Sequence, residues 1–360
     1  VARSAPVPPR SDISALSKYH SAQVEVPVRL NTNESPFPPP QGWRAEVARL
    51  VASIDWNRYP DREAHALRGA IATRHGVDMS SVFVANGSNE VLQTLLLSYA
   101  GAKRTVAVFE PTYQLHAHLA RISGATVVAG RRSSDYTLSS EEIQRVVSEH
   151  SPNVTFLCSP NNPTGRVEAW GNIELLADIS SGLVIIDEAY AEFSERSAVE
   201  LASTSGGNVV VSRTFSKTWS LAGLRLGYVI APPEIVDMLH AVVLPYHLDS
   251  FKQAAGLAAL GYVDEMNDRV ARIVAERGRI TEALSRLDVD TWPSGANFVL
   301  FKPRQIGGHA TWQRLVDRGV LVRDCSSWSG VEDCLRVTVG TEDENSAFIE
   351  ALKQALEQSE

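Results

Sequence analysis

Cysteine is scarce: Cys158, Cys325 and Cys334 are the only three. Their spacing matches no metal-ligand motif, and an odd number does not suggest a disulfide framework. No metal is expected, and a reducing cytoplasm fits this usage best. Long apolar runs are missing as well. No stretch approaches the ~20 apolar residues of a membrane span, and the proline-rich start, Val1 to Arg10, holds no apolar segment of the kind a signal peptide needs. A soluble, unexported chain with no membrane partner is the expectation. Basic residues are in deficit, 34 Lys and Arg against 42 Asp and Glu, for a net charge of −8. That balance argues against a broad polyanion-binding surface, so nucleic acid is not an expected partner. Any phosphate must be met by a local cluster of donors. Internal repeats and low-complexity tracts are absent too, and Pro38-Pro39-Pro40 is no more than a stiff connector.

What is present is an ordinary globular composition, 44% apolar and 21% charged over 360 residues, long enough for two domains. Short β-branched runs at Val82 to Val84, Val106 to Phe109, Val154 to Cys158, Leu183 to Ile186 and Val209 to Val211 are apolar on both faces, as a buried parallel sheet requires. Helix-length segments such as Asn89 to Tyr99 and Thr112 to Ile122 separate them. This rhythm predicts an α/β sheet covered by helices on both faces. After about Leu248 it changes to a long charged helix, Asp264 to Leu287, then short strands at Phe298 to Phe301 and Leu335 to Val339. Phe348, Leu352 and Leu356 make one apolar stripe on a closing helix. The expected division is an N-terminal arm and part of the small domain over 1–34, a large domain over 35–248 and a smaller α+β domain over 249–360.

In an open α/β sheet, ligands bind beyond the carboxyl ends of the strands, so the polar residues just after each apolar run are the first candidates. After Val82 to Val84 come Ala85-Asn86-Gly87-Ser88-Asn89-Glu90, a glycine turn at a helix start. Free amides and a partial positive charge there suit a phosphate, although a lone Ser88 serves equally as a helix cap. Leu183 to Ile186 runs into Asp187-Glu188-Ala189-Tyr190, a carboxylate at the end of a central strand, which alone could also serve magnesium or a ribose hydroxyl. Ser159-Pro160-Asn161-Asn162-Pro163-Thr164-Gly165 follows another buried strand and reads first as a turn. The decisive stretch runs from Ser212-Arg213-Thr214-Phe215-Ser216-Lys217 to Arg225-Leu226-Gly227-Tyr228. A lysine set among hydroxyls after a buried strand, with an arginine shortly behind it, is what a cofactor-anchoring amine and a phosphate clamp require.

These segments, in this order and spacing, resemble the class I and II aminotransferases of fold type I, and within them the histidinol-phosphate aminotransferase branch. The likeness runs from about Tyr19 to Thr341. Leu30-Asn31-Thr32-Asn33-Glu34, Arg58-Tyr59-Pro60-Asp61 and Leu335-Arg336-Val337-Thr338-Val339-Gly340 resemble further signatures of that branch. Ser35 and Asp249 depart from it, where asparagine and serine are usual.

The resemblance implies a large domain with a mostly parallel seven-stranded sheet between helices, and a homodimer with composite active sites. It also implies pyridoxal 5′-phosphate, a small-molecule amino donor and a 2-oxo acid acceptor such as 2-oxoglutarate. Lys217 would anchor the cofactor and carry the proton, Asp187 would pair with its ring nitrogen, and Asn162 and Tyr190 would bond its ring oxygen. Tyr113 would stack on the ring. Gly87, Ser88, Asn89, Thr214, Ser216 and Arg225 would hold the phosphate, with Tyr59 reaching it from the neighbouring subunit. For the substrate, Arg336 resembles the carboxylate fork and Asn33 a residue of the same pocket. Arg323, with Tyr19 of the partner's arm and Tyr246, resembles a second anion site at the far end, which histidinol phosphate would require. Aromatic amino-acid transamination and phosphoamino-acid decarboxylation are the alternatives on this scaffold.

Overall fold

The computed structural model describes residues 7–8, 10–14, 16, 22–203 and 207–357. Strand β1 (Val28–Leu30) belongs to a small sheet described below. The large sheet is built from β2 (Val82–Ala85), β3 (Thr105–Glu110), β4 (Thr126–Arg131), β5 (Val154–Cys158), β6 (Leu183–Asp187), β7 (Val209–Thr214) and β8 (Gly227–Ile230). Its spatial order is β2-β8-β7-β6-β5-β3-β4, and every neighbouring pair is parallel except those made by β8. The mostly parallel seven-stranded sheet is therefore present.

Its strands read as continuous apolar runs because both faces are covered. Val184 and Ile186 point into one core, with Val211, Phe109 and Leu157, while Leu183 and Ile185 point into the other, with Phe156, Val210 and Val229. The alternation follows from the two-residue period of a strand. Burying each such side chain contributes roughly 1.5–3 kcal/mol. Two strands escaped the sequence reading. β4 lies at the sheet edge with a largely solvated pattern, and β8 is a four-residue antiparallel insert that opens on a glycine.

The small sheet adds β9 (Val289–Thr291), β10 (Phe298–Pro303), β11 (Val320–Asp324) and β12 (Leu335–Thr338), in the order β1-β11-β12-β10-β9. β1 pairs in parallel with β11, so chain from both ends of the sequence shares one sheet. Phe348 and Leu352 of the closing helix, Glu342–Glu357, are fully buried in its core with Phe298 and Phe301, and Leu356 packs against it. The long charged helix runs Val263–Leu284. The helix Ser250–Ala259 falls after the expected boundary at 248, yet its Ala255, Ala258 and Ala259 join the core of the large sheet. Asp249, one of the two departures noted above, caps that helix by accepting the Lys252 amide at 2.8 Å.

Among the described residues, no helix is long and apolar enough to cross a membrane.

Candidate active site

The ends of β5, β6 and β7, the turn after β2, the segment following β1 and the facing strands β11 and β12 surround a cavity of about 370 Å³. It lies between the two sheets. Cys158, Asp187 and Thr214 line it because each is the last residue of its strand.

One end of the cavity is an anion cradle. Gly87 precedes the helix Ser88–Tyr99 with φ +84°, a left-handed conformation that glycine adopts without steric cost. A Cβ there would stand 2.6 Å from Nη2 of Arg225, so the guanidinium lies directly against bare backbone. Gly227 brings β8 just as close, since a Cβ on it would meet the Ser88 amide nitrogen at 2.3 Å. Arg225 Nη1 donates to Ser216 Oγ at 3.3 Å, Thr214 Oγ1 donates to the same oxygen at 3.0 Å, and the Ser216 amide donates to Thr214 Oγ1 at 3.1 Å. Ser88 and Asn89 line the same wall. Amides at a helix start, two hydroxyls and a guanidinium are the donor set of a phosphate.

Asp187 is 3% exposed. Its Oδ2 meets His116 Nε2 at 2.9 Å, and its Oδ1 accepts the Ala189 amide at 3.2 Å. His116 is fully buried and stacks on Phe156, with ring centroids 4.4 Å apart. Just outside the site, Arg213 of β7 pairs with Glu188 at 2.7 Å and with Glu192 at 2.9 Å. These pairs fix the turn that carries Asp187 and Tyr190.

Lys217 projects from the segment after β7 and donates from Nζ to the carbonyl of Thr32 at 3.1 Å. Burial, reinforced by the charges of Arg336 and Arg225 and opposed by Glu34, lowers its pKa to about 7. The amine can therefore both take and give a proton near neutrality.

Tyr190 OH accepts from Asn33 Nδ2 at 3.0 Å, and burial raises its pKa. Asn33 itself is tied down, its amide donating to Thr338 Oγ1 at 2.9 Å and its carbonyl accepting from Asn297 at 3.1 Å. Arg336 donates from Nη1 to Asn162 Oδ1 and from Nη2 to the Asn31 carbonyl, the latter at 3.0 Å. With its oxygen engaged, the Asn162 amide has its two N–H donors left for the cavity.

Arg323 and Arg336 are directly opposite one another across β11 and β12, and both line the cavity. The register thus makes these two arginines cross-strand neighbours on one face of the small sheet.

The other expected residues divide plainly. Tyr113 lines the cavity, because the helix after β3 begins only at Leu115 and leaves Tyr113 in the approach to it. Tyr59 is 80% exposed and stacks on Tyr246 at 4.4 Å. Neither of these two lines the chain's own cavity. Tyr19 lies outside the described residues. Ser35, the other departure, accepts from Ser220 Oγ at 2.9 Å beside the site. His116, Thr32, Glu34, Gln114 and Trp328 were not foreseen. Of these, Thr32 and Glu34 belong to the Leu30 to Glu34 signature, and His116 lies three residues beyond Tyr113.

Residues 25–352 match the family described as aminotransferase class I and II. The chain belongs to that family. This aminotransferase is 41% identical to a histidinol-phosphate aminotransferase of Corynebacterium diphtheriae over 98% of this chain and 97% of that protein. It is 43% identical to one of Thermobifida fusca, over 97% and 95% respectively. A solved histidinol-phosphate aminotransferase of Sinorhizobium meliloti, in complex with pyridoxal-5′-phosphate, superposes with a TM-score of 0.83. It covers 96% of this chain and 99% of its own at 23% identity, and so speaks for the fold.

Proposed function

We propose that this aminotransferase uses pyridoxal 5′-phosphate to move an amino group from histidinol phosphate to 2-oxoglutarate. The observation that carries the donor is the Arg323 and Arg336 pair in one cavity. Histidinol phosphate bears a phosphate ester where an amino acid bears its carboxylate, and two adjacent guanidiniums match a dianion better than a monoanion. The names of the relatives support the same donor.

The residues present fit the cofactor. Gly87, Ser88, Asn89, Thr214, Ser216 and Arg225 would hold its phosphate, and Asp187 its ring nitrogen. Asn162 and Tyr190 would hold its ring oxygen, and Tyr113 its face. When bound, it supplies the electron sink that makes the donor's amine-bearing carbon acidic. Asp187, kept in place by His116 and the Ala189 amide, offers a fixed negative charge. Opposite charges at ~4 Å and an effective dielectric of ~20 interact by roughly 4 kcal/mol, enough to keep a basic nitrogen protonated. Lys217, poised near neutrality, takes and returns a proton at that carbon. Arg336 and Arg323 orient the anionic end.

The same reading makes the protein a cytoplasmic homodimer. Trp56, Tyr59, Leu244 and Tyr246 are 70%, 80%, 76% and 41% exposed, an apolar surface suited to a second copy whose site Tyr59 would complete. Free, buried thiols at all three cysteines fit a reducing compartment. The test is a set of half-reactions with histidinol phosphate, glutamate, phenylalanine and tyrosine, followed by the absorbance of the bound cofactor. Conversion by histidinol phosphate and glutamate, ahead of both aromatics, is expected. A preference for phenylalanine or tyrosine would make the enzyme an aromatic aminotransferase instead.

A further inference from the structure

The loop joining β11 to β12 carries Trp328 into the cleft. Its base is fixed by the pairing of Arg323 with Arg336 and of Asp324 with Leu335, and by the Cys325 amide donating to the Cys334 carbonyl at 3.1 Å. Its outer end reaches the large sheet's side of the cleft, where a Cβ on Gly330 would stand 3.1 Å from Cδ of Pro111. Between these points the Trp328 amide donates to the Cys325 carbonyl at 2.8 Å, and its side chain packs against the small buried cluster formed by Tyr136, Leu300, Val331 and the two cysteines. The indole faces the Arg323 guanidinium, 5.1 Å from ring centroid to carbon.

Trp328 also stands on a boundary. A second chamber of about 590 Å³ adjoins the first, and among the described residues the two share Asn31, Gln114, Arg323 and Trp328 as walls. Glu110 and Asp324 line the second chamber. Arg323 thus borders both chambers. Its cross-strand neighbour Arg336 lines the first chamber, while the second sets Arg121, His118 and His309 beside the two carboxylates, with His309 Nδ1 meeting Asp324 Oδ2 at 2.8 Å.

We propose that Trp328 is a positioning residue that sets donor specificity by holding the Arg323 guanidinium toward Arg336. The indole face supplies a cation–π contact at the boundary between the two chambers. The paired guanidiniums then stay set for a dianionic donor group. A donor whose anion is a single carboxylate is served by Arg336 alone and is indifferent to Trp328. The inference rests on the reading that the donor is a phosphate monoester.

The test compares the Trp328→Phe and Trp328→Leu holoenzymes, which fill the same hollow with and without an aromatic face. Five constants are measured for each: kcat and KM for histidinol phosphate, the same two for phenylalanine, and the inhibition constant of inorganic phosphate against phenylalanine. Trp328→Leu should lower kcat/KM for histidinol phosphate on the order of tenfold, mostly through KM, and weaken phosphate inhibition by the same factor. Phenylalanine should be little changed, and Trp328→Phe should stay within about threefold of wild type. Unchanged phosphate affinity in Trp328→Leu, or equal losses for both donors together with a lowered Tm, would overturn the proposal. A wild-type enzyme that favours phenylalanine would overturn the donor reading, while the phosphate inhibition constants would still decide the role of Trp328.

Discussion

His116 and Asp187 meet at 2.9 Å through Nε2 and Oδ2, both of them buried, at the floor of the cavity. This contact joins the helix after β3 to the end of β6 and leaves the carboxylate one orientation. Asp187→Asn removes the charge but keeps the shape. It should slow transamination by roughly a thousandfold, the rate equivalent of ~4 kcal/mol, with a smaller effect on cofactor affinity. His116→Phe keeps the stacking on Phe156 and removes one charge-assisted hydrogen bond, for a loss of about ten- to a hundredfold. Single-turnover rates measured beside cofactor titrations check both. An Asp187→Asn enzyme within tenfold of wild type would show that this carboxylate does not act on the cofactor ring.

Lys217 should be recognisable by its titration. With a pKa near 7 against an ordinary 10.5, its amine in the cofactor-free protein should react with an acylating reagent half-maximally near pH 7. Surface lysines should need far more alkaline solution. The unfolded chain binds the proton more readily, so wild type carries a penalty that is full below pH 7 and relieved as pH rises toward 10.5. Lys217→Met should therefore be more stable than wild type at pH 6, lose that advantage at high pH and show no transamination. If reduction of the holoenzyme with borohydride fixed the cofactor to another lysine, the assignment of Lys217 would fail.

The Arg213 cluster predicts a stability effect with a defined repair. Arg213→Met would leave Glu188 and Glu192 without their partner in a nearly dry site, at a cost of about 3–5 kcal/mol. Adding Glu188→Gln removes one of the stranded charges and should recover part of that loss. Urea midpoints of the three proteins check this, and a double variant no more stable than Arg213→Met would refute it.

How far these features were legible depends on how local their causes are. Val184 to Ile186 announced a central strand because a strand covered on both faces must be apolar throughout. Lys217 stood out through its hydroxyl neighbours and the strand before it. β1, β9 and β11 are three to five residues long and gain their structure from pairing across the small sheet, which leaves little periodic trace. Thr32 acts through its backbone carbonyl, for which no residue type is diagnostic. The side-by-side placement of Arg323 and Arg336 follows from the register of two strands, and a spacing of residues in sequence does not reveal that.

The dimer can be tested by complementation. Tyr59 is held by Tyr246 at the surface, away from its own cavity. If it completes the neighbour's site, Lys217→Ala and Tyr59→Ala subunits, each poorly active alone, should recover activity when mixed, refolded and allowed to form hybrids. One site in each hybrid would combine an intact lysine with an intact tyrosine. A fully active monomer at assay concentration would exclude a composite site.

The donor can be decided at Arg323. A phosphate monoester is close to a dianion near neutral pH, whereas phenylalanine presents a single carboxylate that Arg336 can take alone. Arg323→Leu keeps an apolar side chain against Trp328 and removes one guanidinium from the pair. The loss for histidinol phosphate should be that of a charge-assisted contact, about 2–3 kcal/mol, or roughly 30- to 150-fold in kcat/KM. Phenylalanine should lose much less or even gain, since a positive charge that it does not use has gone. The two variants also differ in kind, because Trp328→Leu leaves the guanidinium present without its aromatic contact and should give the smaller loss. Were Arg323 only packing between β11 and the loop, both donors would fall together with thermal stability. Equal losses for the two would remove Arg323 from the donor site and leave Arg336 as the sole anchor.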